Sequence, residues 1–257
     1  MTAVLDANHM MIRHLRALMR QPWWIAVNLV QPVIWLLLFG ALFKKVVDIP
    51  GFHGGSYTEY LVPGVVMMTA FFSAGWGGMP VIEDLERGIV DRFLISPVHR
   101  GALIWGRVLM NSVTIVIQSA IIVGLALIVG ATFGGGPGGV AMLTLVAALL
   151  GAGFGALSIG LALVTRHEET LIATMQFLLL PLTFLSAAFM QRDLMPSWMQ
   201  NVADFNPVQW AVDAGRSVLA ANPDWGLILS RTGFLLAFAI VCSWFATRAF
   251  TTYQRSV

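Results

Sequence analysis

Six long apolar stretches, spaced too closely to leave room for a soluble domain, constrain this chain more than any other feature. A helix crossing about 30 Å of hydrocarbon needs roughly 20 mostly apolar residues. Residues 23–43, 61–82, 107–130, 140–164, 171–190 and 227–250 each supply such a run. Backbone groups in lipid must pair within their own segment, so each run is expected to be helical. Charged residues make up 11% of the 257, against roughly 25% in a soluble protein. The expected class is an all-α integral membrane protein with six transmembrane helices. Cys242 is the chain's one cysteine and has no partner for an internal disulfide. A net charge of +2 gives no ground for nucleic-acid binding.

Residues 4–20 read as an amphipathic helix lying in the membrane interface. His9, Arg13, Arg16 and Arg20 form one stripe, with Met11, Leu15 and Leu18 beside it. Its arginines suit anionic lipid, a cytoplasmic partner, or both. The chain thus divides into an interfacial segment, 1–21, and a six-span domain, 22–257. A basic N-terminus before an apolar run also suggests a signal peptide. The run is too long and lacks a small-residue cleavage site, so the first span is expected to be retained. With six spans both termini share a side. Ten of the fifteen Lys and Arg residues fall on that side, which places both termini in the cytoplasm.

Pro32, Pro63 and Pro181 interrupt spans one, two and five and predict kinks or locally unwound backbone. Residues 134–139, Gly-Gly-Gly-Pro-Gly-Gly, predict a tight turn between spans three and four. No Gly-Lys-Ser/Thr follows, so this turn is not a nucleotide-phosphate loop. In span four, Ala147, Gly151 and Gly155 form one line of small residues; Ala152, Ala156 and Gly160 form its neighbour. Such lines let helices approach closely, within one subunit or between two. The outer segment 191–226 carries too many large apolar groups for a free loop, and Asn206-Pro207 has the form of a helix start. Short helices dipping into the outer leaflet are expected there.

Between spans two and three lies a charged segment, Glu83 to Arg107. Ile89 with Phe93, and Val90 with Leu94, make an apolar face. Glu83, Asp84 and Glu86 crowd the front, Arg87, Asp91 and Arg92 make a wet face, and Ser96-Pro97 stops the pattern. Periodicity allows two readings: a short helical lever between two spans, or a solvated loop with weak ion pairs.

Glu86-Arg87-Gly88, then Asp91, Arg92, Phe93, Leu94, Ser96-Pro97 and Arg100, resembles the cytoplasmic motif of ATP-binding-cassette type-2 permeases. The nearest branch is the daunorubicin-resistance type of drug and lipid exporter. The resemblance extends through Pro181, Phe184-Leu185-Ser186, Met195-Pro196-Ser197-Trp198, Asn206-Pro207 and Ala214-Gly215-Arg216. It departs at Ile89, where the family usually has threonine, and its next acidic position falls at Asp91.

The resemblance implies a half-transporter of the bacterial cytoplasmic membrane. It would pair with a second copy or a paralogue and with separate ATPase subunits, which bind ATP and Mg; no cofactor is implied in this chain. Glu83–Pro97 would be the coupling helix and 4–20 the connecting helix. The implied ATPase-coupling residues are Glu83, Glu86, Arg87, Asp91 and Arg92, with Arg13 and Arg16 on the connecting helix. The implied path lies between the two bundles, with Asn28, Gln31, Thr69, Ser73, Trp76, Gln176, Thr183 and Ser186 as candidates along spans one, two and five. Each could equally make ordinary interhelical hydrogen bonds. No acid or base stands mid-span, so an apolar drug or lipid suits the path better than a charged substrate.

Rival functions find little support. An intramembrane enzyme needs a reactive cluster, and the compact candidate, His167-Glu168-Glu169, lacks a second histidine at helical spacing. A channel would need a carbonyl filter or charged ring, and no segment resembles the former. Polysaccharide export by the same six-span plan remains the alternative within the resemblance.

Overall fold

Each apolar run contains helix in the computed structural model, which describes residues 22–43, 56–88 and 100–254, without the side chains of 22–28 and 100–105. The order is α1 (Pro22–Leu42), α2 (Tyr57–Gly75), a 3-10 turn (Trp76–Gly78), α3 (Met79–Glu86), α4 (Arg100–Ile128) and α5 (Gly136–Thr165). Then come α6 (Glu168–Phe184), a second 3-10 turn (Arg192–Leu194), α7 (Ser197–Ala203), α8 (Pro207–Leu219) and α9 (Trp225–Gln254). No strand occurs among the described residues. The expected helix over 4–20 lies outside them.

Four rods are long and apolar enough to cross a membrane: Tyr57–Glu86, Gly106–Ile128, Gly136–Thr165 and Trp225–Gln254. α1 has a shorter described apolar stretch, Leu29–Leu42. The fifth run, expected to reach residue 190, stops as helix at Phe184 after 17 residues. At 1.5 Å per residue that is about 26 Å, short of the hydrocarbon thickness. Residues 185–190 complete the run as irregular backbone, and Ala187 and Ala188 are buried.

α5 is the hub, packing on α2, α4, α8 and α9. Its small residues explain why. A Cβ on Gly153 would lie 2.6 Å from the Phe238 ring of α9, and one on Gly160 would lie 2.6 Å from Phe245. Gly155 faces Asn111 of α4 at 3.0 Å, and Gly151 meets Ile115. Both small-residue lines are therefore consumed by packing within the chain. Phe71 of α2 meets Phe154 edge-on at 4.4 Å in the centre. α1 attaches differently, through a ladder of rings: Trp35, Phe39 and Phe43 stack successively, and Phe189 sits 4.8 Å from Trp35.

The expected glycine turn over 134–139 is shorter than its sequence: Gly134 and Gly135 turn, and 136–139 already open α5, with a packing cause for the composition. Gly135 donates its N–H to the Leu219 carbonyl at 3.0 Å, and Gly135 and Gly139 both press on the Val218 carbonyl, leaving no room for a Cβ. Pro181 lies three residues before the end of α6. Pro32 and Pro63 lie inside continuous helices. The second span breaks instead at Trp76–Gly78, where the Ser158 hydroxyl of α5 inserts. It donates to the Gly75 carbonyl at 2.6 Å and accepts from the Gly78 N–H at 3.0 Å. A Cβ at Gly78 would stand 2.5 Å from the Ser158 carbonyl, so glycine lets the two backbones touch.

Candidate functional site

Three features of the bundle carry chemistry: an acidic helix end, a polar clasp and a cavity. Glu83, Asp84 and Glu86 lie not at the front of a coupling helix but at the end of α3. The Arg87 N–H returns to the Glu83 carbonyl at 3.1 Å and the Gly88 N–H to Leu85 at 3.0 Å. Gly88 then takes φ +63°, the left-handed conformation that glycine adopts at least cost. A single helix over Glu83–Pro97 is thereby ruled out, because its first turn belongs to span two. Residues 89–99, with Asp91 and Arg92, lie outside the described residues, as do Arg13 and Arg16.

Three carboxylates at a helix C-terminus oppose the helix dipole, and two find cations. Arg87 approaches Glu83 at 3.6 Å on the exposed surface, a weak pair. Asp84 pairs with Arg107 of α4, and here the Arg107 side chain is only 13% exposed. This second pair ties the ends of spans two and three together. Glu86 is exposed. His167 and Glu169 are exposed too, and no metal-holding group occurs among the described residues.

At the other end, α8 clasps the irregular backbone after α6. Asn206 caps α8 by accepting from the Val208 N–H at 2.9 Å, as its sequence position predicts. Its amide also donates to the carbonyls of Leu182, at 2.7 Å, and Leu185. Gln209, fully buried, accepts from the Ala187 N–H at 2.6 Å and donates to Asp213 at 2.6 Å. Arg216 donates to the carbonyls of Ala187, at 2.5 Å, and Ala188, at 3.1 Å, with its guanidinium 3.7 Å from the centre of the Tyr60 ring. Asp213 also faces Arg231 of α9 at 3.5 Å. Burial pushes the Asp213 carboxyl above the usual carboxylate range, with Arg231 and the Gln209 amide pulling the other way.

The candidate path residues divide. Gln31, Thr69, Ser73 and Trp76 converge on one cavity of about 90 Å³ between α1, α2 and α4, with Trp35, Phe72 and Gln118 also in its wall. Thr69 donates to the Val65 carbonyl at 2.7 Å. The others do not join them. Thr183 and Ser186 are buried and hydrogen-bond to carbonyls of their own segment, Leu179 and Thr183, each at 2.7 Å. Gln176 is exposed on the outer stripe of α6 with Phe177 and Leu180. Asn28 falls in α1, and its side chain lies outside the described residues.

Gln118 is the residue that reading by span missed, because it lies on span three. The available signal was its seven-residue spacing from Asn111, the other carboxamide of the helix: both carry a buried polar atom without a partner.

Comparisons with known proteins agree with this architecture. The chain is 30% identical over 222 residues to the "Putative transport permease ycf38" of Cyanophora paradoxa, covering 86% of this chain and 75% of that protein. It is 31% identical over 212 residues to the "Daunorubicin resistance ABC transporter permease protein DrrB1" of Streptomyces coeruleorubidus, covering 80% and 73%. The "Inner membrane transport permease YadH" of Escherichia coli K12 is 25% identical over 243 residues, covering 85% and 86%. Residues 7–220 match the family described as "ABC-2 type transporter", so the motif from Glu86 to Arg216 lies within the match and the chain belongs to that family.

Proposed function

We propose that the chain is the membrane-spanning subunit of an ATP-driven exporter for an apolar drug or lipid-like molecule. A separate ATPase subunit, binding ATP and Mg, supplies the drive, and a second copy or a paralogue completes the path. The chain crosses the bacterial cytoplasmic membrane six times, with both termini in the cytoplasm. Family membership and the likeness to a protein named for daunorubicin resistance support this reading. The observation that carries it is the Asp84–Arg107 pair. It joins the ends of two spans directly beside the exposed Glu83, Glu86 and Arg87, so a load applied there moves both spans at once.

Charge reversal at Glu86 together with Asp91 tests the reading in the purified chain with its ATPase. Loss of substrate-stimulated ATP hydrolysis and of transport, with normal membrane insertion, is expected. Transport that survives the double change would refute the lever. Absence of any co-purifying ATPase in mild detergents would refute the exporter.

A further inference from the structure

A residue in the wall of the cavity between α1, α2 and α4 carries a polar atom that the fold leaves unused. Gln118 is 2% exposed, and its carboxamide oxygen has no hydrogen-bond partner. A buried acceptor without a partner is costly, and such groups in a native structure call for an explanation. The residue that carries this acceptor stands in the cavity wall. Thr69, beside it, spends its proton on the Val65 carbonyl, so it offers the cavity another acceptor and no donor.

The rest of the wall defines what fits. Trp35, Phe72 and Trp76 are half-buried rings. Flat apolar walls favour a planar group, which gains from offset or edge contacts with them. Among the described residues no ionisable side chain lines the cavity. A charged occupant would therefore be desolvated without a counter-ion, at heavy cost. The volume, about 90 Å³, is well below the roughly 300–1,000 Å³ of a pocket for a whole drug-sized ligand. The space suits one ring of a larger molecule.

We propose that this cavity is a subsite, built within a single subunit, for a neutral planar ring bearing a hydroxyl or N–H donor, and that Gln118 accepts from that donor. The subsite rests on the exporter reading for its role and deepens it by naming a feature of the substrate. Gln31 is exposed at the rim on α1, so the occupant arrives past the first span. Trp76, at the opposite limit, opens the 3-10 turn that separates α2 from α3. The occupant thus rests against the segment that leads into the acidic helix end.

The test uses the full chain in lipid nanodiscs with Ser73→Cys as reporter; the one native cysteine, Cys242, is buried. Maleimide labelling at position 73 is timed with 1-naphthol, naphthalene or 1-naphthalenesulfonate present. Naphthol is expected to protect at about tenfold lower concentration than naphthalene, the equivalent of about 1.4 kcal/mol. The sulfonate is expected to give no protection. Adding Gln118→Leu should erase the advantage of naphthol while the melting temperature holds or rises, since the unpaired acceptor is gone. Gln118→Met, closer in shape, is scored the same way should the leucine variant fail to fold. Equal protection by naphthol and naphthalene would make the cavity a slot for lipid chains and overturn the proposal, as would a naphthol advantage that survives both variants. If that failure comes with ATPase activity still stimulated by apolar compounds, the subsite falls and the exporter stands. If protection follows the expected pattern in a chain that binds no ATPase, the subsite stands and the exporter falls.

Discussion

Arg216 should be the most expensive polar residue in the bundle to replace. Its guanidinium makes two charge-assisted hydrogen bonds, to the carbonyls of Ala187 and Ala188, worth about 1.5–3 kcal/mol each. Stacking on Tyr60 at 3.7 Å adds about 0.5–2 kcal/mol. Against this stands the desolvation of a buried cation, several kcal/mol, which an apolar replacement recovers. The balance for Arg216→Met is a loss of about 2–4 kcal/mol, because two buried carbonyls lose their charged donor. For a chain of this size that corresponds to a fall of about 4–16 °C in melting temperature. Arg216→Lys keeps the charge but cannot fork between two carbonyls and stack at once, so it should recover less than half of the loss. The assay is thermal unfolding in detergent followed by tryptophan fluorescence. A Met variant melting within about 2 °C of the parent would refute the reasoning and reduce the clasp to a geometric coincidence.

Gly78→Ala should destabilise the bundle and lower transport, because its Cβ would meet the Ser158 backbone at 2.5 Å. Gly124→Ala, on α4 with open space around it, should be neutral or gain up to about 1 kcal/mol in the same melting assay. Arg107→Gln leaves Asp84 without its cation and should depress coupled ATPase activity; exchanging the two as Asp84→Arg with Arg107→Asp should restore part of it in a double-mutant cycle. For Asp213 the pH dependence has a definite sign. Its folded pKa is raised, so its favourable contribution is complete below the ordinary value of 3.8 and declines as pH rises through the raised value. Asp213→Asn should remove that decline, seen as a flatter melting profile above about pH 4 than the parent shows.

Apolar runs were legible because lipid imposes one rule along their whole length, and runs two, three, four and six fall close to the limits of the rods Tyr57–Glu86, Gly106–Ile128, Gly136–Thr165 and Trp225–Gln254. Run five was overestimated. Hydropathy continues through Met190, but the helix ends where side chains of α8 and its cap, 21 or more residues downstream, take over the backbone groups of 182–188. No local pattern reports such a substitution. The same holds for the hinge in span two: proline marked Pro63, whereas a serine on another helix and Gly78 made the break. Within the site, Gln31, Thr69, Ser73 and Trp76 could be grouped by their place on spans one and two. Gln118 entered only when the third helix was folded against them. The Phe184–Ser186, Asn206-Pro207 and Ala214–Arg216 motifs looked like separate marks along the chain, yet Asn206 and Arg216 act on the same few carbonyls.

The Ser158 hydroxyl has a mechanical consequence. A continuous helix spreads bending over all its turns, whereas a rod notched once bends at the notch. Span two is notched between Gly75 and Gly78 and fastened there by one hydroxyl that grips both sides. On the proposed lever, torque applied at Glu86 would reach Trp76, some ten residues away or about 15 Å along the axis, and would be released there. The half of the span sealed around Phe71 and Phe154 would keep its shape while the half beyond the notch swings.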